Sequence, residues 1–145
     1  MQNNTTVPQK HTTKHSWHFI DAKDQTLGRL AAQVAKLLIG KHKPIFAYNM
    51  SVGDNVVITN AEKILVTGKK LKDKTYQLYT GYPKGLRSTT LDKRMEKNPV
   101  RVVEDAIKGM LPNNKLRKEM MRKLYVYKGT EHPHTSQEKK VAEIK

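Results

Sequence analysis

The run Asn55 to Asn60, NVVITN, constrains this chain more than any other segment. Val56, Val57, Ile58 and Thr59 are all β-branched and suit extended backbone. Three consecutive apolar residues put apolar side chains on both faces of a strand, so both faces need cover, as in the interior of a parallel sheet. The segment upstream agrees. Trp17 to Ala22 (WHFIDA) reads as a first buried strand that stops at Asp21 and Asp24. Between the two, Leu27, Leu30, Ala31, Val34, Leu37 and Leu38 recur at helical spacing while Arg29, Gln33 and Lys36 face away. Thr26 stands where it can cap that helix, and Gly40 stands where it can end it. Strand, helix and buried strand make a βαβ unit, expected to cross over right-handed.

The remaining segments extend this α/β reading. Lys41 to Gly53 is a loop containing Pro44, and a tight element at Ala61 to Ile64 leads to Leu65 to Gly68. VTGKKLKDK then reads as an exposed basic loop before the alternating strand Thr75 to Thr80, TYQLYT. Gly81, Pro83 and Gly85 mark another loop, and Leu91 to Lys97 is a short helix stopped by Asn98 and Pro99. Pro99 opens a helix with Val100, Val103, Ile107, Met110 and Leu111 on one face, and Pro112 terminates it. Asn113 or Asn114 can cap a basic helix from Lys115 to Lys123, and Tyr125 to Lys128 (YVYK) closes as a fourth strand. A chain of 145 residues is long enough for one core. The expected organisation is a flexible basic extension over residues 1–16, one folded domain over 17–134 and a polar tail over 135–145.

Charge indicates the partner class. There are 28 Lys and Arg against 13 Asp and Glu, a net charge of +15, so the fold must face a polyanion or gather counterions. Lys outnumbers Arg, which favours point contacts to phosphates over bidentate reading of base edges. Three segments concentrate the excess: Lys69 to Lys74, Lys84 to Arg94 and Lys115 to Lys128. They supply Lys69, Lys70, Lys72, Lys84, Arg87, Lys115, Arg117, Lys118, Arg122, Lys123 and Lys128 as candidate RNA contacts. On a helix Arg117, Lys118, Arg122 and Lys123 form one cationic face opposite Leu116 and Met120. Tyr76, Tyr79, Tyr125 and Tyr127 lie in expected strands, where packing is favoured over base stacking.

Catalytic signatures are missing. There is no GxGxxG, and the Gly-Lys pairs at Gly40 and Gly68 lack both the earlier glycine and the following Ser or Thr of a phosphate loop. A parallel βαβ unit sends Asp21 and Asp54 to opposite ends of the sheet, so they read as turn and cap residues and not as a metal-binding pair. No cysteine is present, and His132 and His134 around Pro133 would need further ligands to hold a metal. They read as turn residues that offer hydrogen bonds, and His11, His15, His18 and His42 carry no stronger signal. The expectation is therefore no catalytic residue, no metal and no cofactor. With no apolar run of membrane-spanning length and no apolar stretch in the leader, the chain is expected to be soluble and cytoplasmic.

Three blocks, WHFIDAKDQTLGRLA, GDNVVITNAEKILVTGKK with DKTYQLYTG, and IKGMLPNNKLRKEMMRKLYVYKGTEHPH, run in order from Trp17 to His134. Through them the chain resembles the bacterial type of the large-subunit ribosomal protein thirteen family. GMLP followed by RKLYVYKG and EHPH is the most specific part, because nothing generic brings those residues together. The resemblance implies a three-layer α/β/α domain around a mainly parallel four-stranded sheet, and a non-catalytic role in the large subunit that begins early in assembly. The implied partners are large-subunit (23S) rRNA and neighbouring ribosomal proteins, with no membrane, no small-molecule substrate and no homo-oligomer. The competing readings are a free RNA-binding regulator and, more remotely, an RNA-modifying enzyme. Matching family basic positions are Arg29, Lys41, Lys69, Lys108, Arg122 and Lys123, and the GxEHPH match adds His132 and His134. The chain departs from the family at Leu116, Arg117 and Lys118, where the family commonly has Leu-Gly-Arg.

Overall fold

The structure, a computed structural model, describes residues 13–138. The expected βαβ unit is present, with β1 (Trp17–Asp21), α1 (Leu27–Ile39) and β2 (Asn55–Thr59). β1 pairs in parallel with β2, Trp17 opposite Asn55 through to Asp21 opposite Thr59, and β2 pairs in parallel with β5 (Leu124–Val126). The sheet order β1-β2-β5 puts the NVVITN run in the centre, and Val56, Val57 and Ile58 are fully buried.

The two faces are covered differently. Val56 and Ile58 point to a core shared with Leu30, Val34 and Leu38 of α1 and with Val102, Val103 and Ile107 of α4 (Pro99–Met110). α3 (Leu91–Lys97) contributes Leu91, and α5 (Arg117–Met121) contributes Met120. By strand alternation the other face carries Trp17, Phe19, Val57 and Tyr125. There the described residues supply rings where the resemblance implied a helical layer. The Trp17 ring lies 5.6 Å from that of Tyr125 and 5.1 Å from that of His134, and Phe19 lies 5.7 Å from His132.

Several expectations change. Among the described residues the main sheet has three strands, not four, because Thr75–Tyr79 (β3) pairs antiparallel with Leu86–Thr90 (β4) as a separate hairpin. The turn residues after β3 explain this: a six-residue connection can close an antiparallel hairpin, whereas a parallel partner needs a longer crossover. No element is expected over residues 86–90, where β4 lies, and the basic stretch before β3 contains a short helix, α2 (Lys70–Asp73), with no buried residue. The basic helix is five residues long, not nine, with Asn114 Oδ1 accepting the Arg117 N–H at 3.1 Å. Thr26 occupies the cap position of α1 but makes no side-chain cap, and its Oγ1 is buried without a partner. α4 turns Pro99, Val102, Val103 and Ile107 inward, so Met110 is 43% exposed and unexpected Val102 is buried. Asn98 caps it through the Arg101 N–H at 3.2 Å.

Residues 1–12 of the extension and 139–145 of the tail lie outside the described residues, while His15 and Ser16 bond to the body, as described below. Residues 135–138 are helical.

Leu30→Ala, which opens a cavity between α1 and the sheet, is expected to cost about 2–5 kcal/mol in denaturant unfolding. Gln33→Ala on the exposed face of the same helix is expected to change stability by less than about 0.5 kcal/mol. Equal effects of the two would contradict the packing described.

Candidate nucleic-acid interface

In a βαβ unit the helix returns the chain to the edge where both strands begin, so residues preceding β1, following α1 and preceding β2 must meet. They meet at Asp54, whose side chain is 1% exposed. Its Oδ1 accepts the Ser16 N–H at 2.9 Å and the Lys43 Nζ, and its Oδ2 accepts His18 Nε2 at 3.0 Å and His42 Nε2 at 2.8 Å. An ionised carboxylate only accepts, so both Nε2 atoms carry the proton. Lys43 Nζ also donates to Lys14 O at 2.8 Å and Val52 O at 3.0 Å. His15 Nδ1 lies 2.8 Å from Gly53 O, to which Lys123 Nζ donates at 2.9 Å, with Ser51 O and Oγ each at 3.2 Å. Gly53 is required here, because a Cβ would sit 1.8 Å from Leu38 O.

Burial raises the Asp54 pKa, but hydrogen bonds from Lys43, His18 and the Ser16 amide outweigh it and hold the carboxyl at about 2. Burial lowers the Lys123 pKa and nearby Lys43 lowers it further, against the pull of Asp54 and Glu119. His18, His42 and Asp54 bring ligand atoms within 4.8 Å of one another. Lys43 and Lys123 already give this cluster more positive than negative charge, so its chemistry suits an edge lock better than a dication site.

The sequence-predicted RNA contacts fall into five groups. Lys108, Lys115, Arg117 and Lys118 line a groove of about 500 Å³ between α4 and α5, with Glu104, Asp105 and Asn114. Lys69 and Lys70, joined by Lys74, rim a cavity of about 750 Å³ floored by Leu27, Leu65, Leu91 and Met110. Lys84 and Arg87 lie on the β3–β4 hairpin. Arg29, Lys41, Lys72 and Arg122 are exposed and lie outside these two cavities.

Four predicted residues are engaged within the protein. Lys123 anchors the loop before β2, so it does not share the solvent-facing position of Arg122. Lys128 pairs with Glu62 at 3.7 Å. His132, its side chain 8% exposed, pairs with Glu138 at 3.5 Å, and its Nδ1 accepts the His134 N–H at 3.3 Å. The His134 ring lies 4.6 Å from that of Tyr125. Arg117, at the departure from the family pattern, opens α5 without a positive φ, so an L-residue fits there without strain. Sequence reasoning missed Asp54, His18, His42 and Lys43 as one cluster, although the parallel topology was the signal that could have joined them.

Comparison with known proteins places this geometry. The sequence model described as "Ribosomal protein L13" matches residues 15–133, a span that contains the whole sheet and the Asp54 cluster. The chain belongs to the ribosomal protein L13 family. It is 52% identical over 140 residues to "Large ribosomal subunit protein uL13" of Kocuria rhizophila, covering 97% of this chain and 95% of that one. A protein of the same name from Legionella pneumophila (strain Corby) is 49% identical over 131 residues, covering 90% and 91%. That from Symbiobacterium thermophilum is 49% identical over 142 residues, covering 98% and 99%. In this L13-family chain the matched span begins at His15.

Asp54→Ala leaves the largely buried Lys43 ammonium without its carboxylate and is expected to cost about 3–5 kcal/mol in urea unfolding at neutral pH. Because folding lowers the Asp54 pKa from 3.8, its contribution is complete above that value and is lost as pH falls through about 2. The gap between wild type and variant should therefore narrow over that window. A gap unchanged by acid would contradict the assignment.

Proposed function

We propose that this chain is a structural, non-catalytic constituent of the large ribosomal subunit in the cytoplasm. It binds large-subunit (23S) rRNA early in assembly, meets neighbouring ribosomal proteins and does not pair with itself. Its membership of the L13 family carries this reading, and the names of its relatives place them in the large subunit. The exposed cations support it. Lys108, Lys115, Lys118 and Arg122 make no hydrogen bond or ion pair with described residues through their side chains, so they contribute little to the fold. Such side chains remain available to phosphates, which position a protein on RNA without reading sequence. No helix among the described residues is long and apolar enough to cross a membrane.

The outer cationic face comprises Lys118 and Arg122 with the groove residues Lys108 and Lys115, while Lys123 holds the sheet edge. Lys118→Glu with Arg122→Glu is expected to leave the monomer folded, with unchanged thermal unfolding. Replacing two phosphate contacts by repulsion should lower its occupancy of large subunits by about tenfold or more, measured by quantitative mass spectrometry of salt-washed particles. Wild-type occupancy of the double variant would overturn the assigned face, and loss of wild-type protein in the wash would favour a free regulator.

A further inference from the structure

The β3–β4 hairpin is built for contact yet touches little of its own body. Leu78 is 66% exposed, Tyr79 65%, Tyr82 76% and Leu86 60%. A two-stranded hairpin alone buries too little to be stable in water, and four bare apolar side chains on one arm call for a cover. Register assigns them to faces: Tyr79 opposes Leu86 on one side, and Leu78 opposes Arg87 on the other.

Charge selects the cover. From Lys74 to Thr90 there are three cations, Lys74, Lys84 and Arg87, and no acid. Rings interleaved with cations match a strand that alternates bases with phosphates. The arm is also built to hold its rings in place. Leu91, fully buried, ties its base by donating its N–H to Lys74 O at 2.8 Å, and Tyr76 is covered by the Arg94 guanidinium 4.2 Å from the ring centre. At the tip the Thr80 N–H donates to Gly85 O at 3.1 Å and the Gly85 N–H to Tyr82 O at 2.8 Å. A Cβ at Gly85 would meet Thr80 Oγ1 at 2.2 Å, so the turn is closed tightly. The inner ring is thus occupied, and the outer two are presented bare.

We infer that the hairpin is a stacking arm for unpaired nucleotides, with Tyr79 and Tyr82 as base platforms and Lys84 and Arg87 as phosphate contacts. This rests on the rRNA-binding reading and adds to it a class of RNA: single-stranded segments, whose bases are free to stack.

The test compares full-length wild type, Tyr79→Ala/Tyr82→Ala and Tyr79→Phe/Tyr82→Phe for binding to a short single-stranded oligoadenylate and to an RNA duplex of equal length. The alanine pair should lose about tenfold or more affinity for the single strand, keep its duplex affinity, and show an unchanged salt slope. The phenylalanine pair should bind like wild type. An alanine pair that binds the single strand as wild type does would overturn the inference. Absence of wild-type binding to either RNA would instead strike the rRNA-binding reading beneath it. Ultraviolet crosslinking within purified large subunits supplies the second arm. Tyr79 or Tyr82 joined to a nucleotide supports the inference, and either joined only to a neighbouring protein overturns it in favour of protein docking.

Discussion

Fifteen more positive than negative charges repel one another in a chain of 145 residues, so where the few carboxylates sit decides what can fold. Asp54 has the most demanding place. It is the one buried carboxylate among the described residues, and it gathers an amide, an ammonium and two imidazoles from two separate segments. Removing one partner of such a group costs far more than removing an exposed pair, because the remaining charges stay desolvated. The parallel sheet depends on this lock, since its strands begin at that edge and their pairing offers no hairpin to hold them in register. Lys123 extends the lock to the start of β5 through the carbonyls of Ser51 and Gly53.

Cations in this protein therefore have two kinds of role. Lys43 and Lys123 face inward, and their bonds are complete within the protein. Lys108, Lys115, Lys118 and Arg122 face outward and spend little on the fold. Neighbours in sequence fall on opposite sides of this division: Arg122 is exposed and Lys123 is half-buried beside it. Charge-reversal of both together would mix a loss of stability with a loss of binding, which is why Lys118 is the better companion to Arg122.

Much of the fold was legible in the sequence because periodicity reports burial. The central strand, α1 and α3 came directly from apolar spacing and from Gly40 and Pro99. What failed has identifiable physical causes. Alternation in TYQLYT announced a strand without naming its partner, and only the short turn behind it distinguishes a hairpin strand from a fourth strand of the sheet. Tyr79 was expected to pack because aromatic strands usually do, yet its strand stands away from the core. The site was legible as charge density but not as roles. His18, the adjacent pair His42 and Lys43, and Asp54 lie in three different segments, and their convergence follows only after parallel pairing has brought those segments to one edge.

The account separates what holds the protein together from what it presents to RNA, and salt tests that separation directly. Affinity for large-subunit rRNA and unfolding free energy should be measured on the same preparation across one range of salt. Log affinity should fall with log salt by about 0.7 to 0.9 for each phosphate neutralised, a steep total slope for several contacts. Stability should hold or rise, because the buried Asp54 cluster is poorly screened while surface repulsion is relieved. An RNA affinity flat in salt, or a fold that melts in step with the loss of RNA binding, would contradict the account.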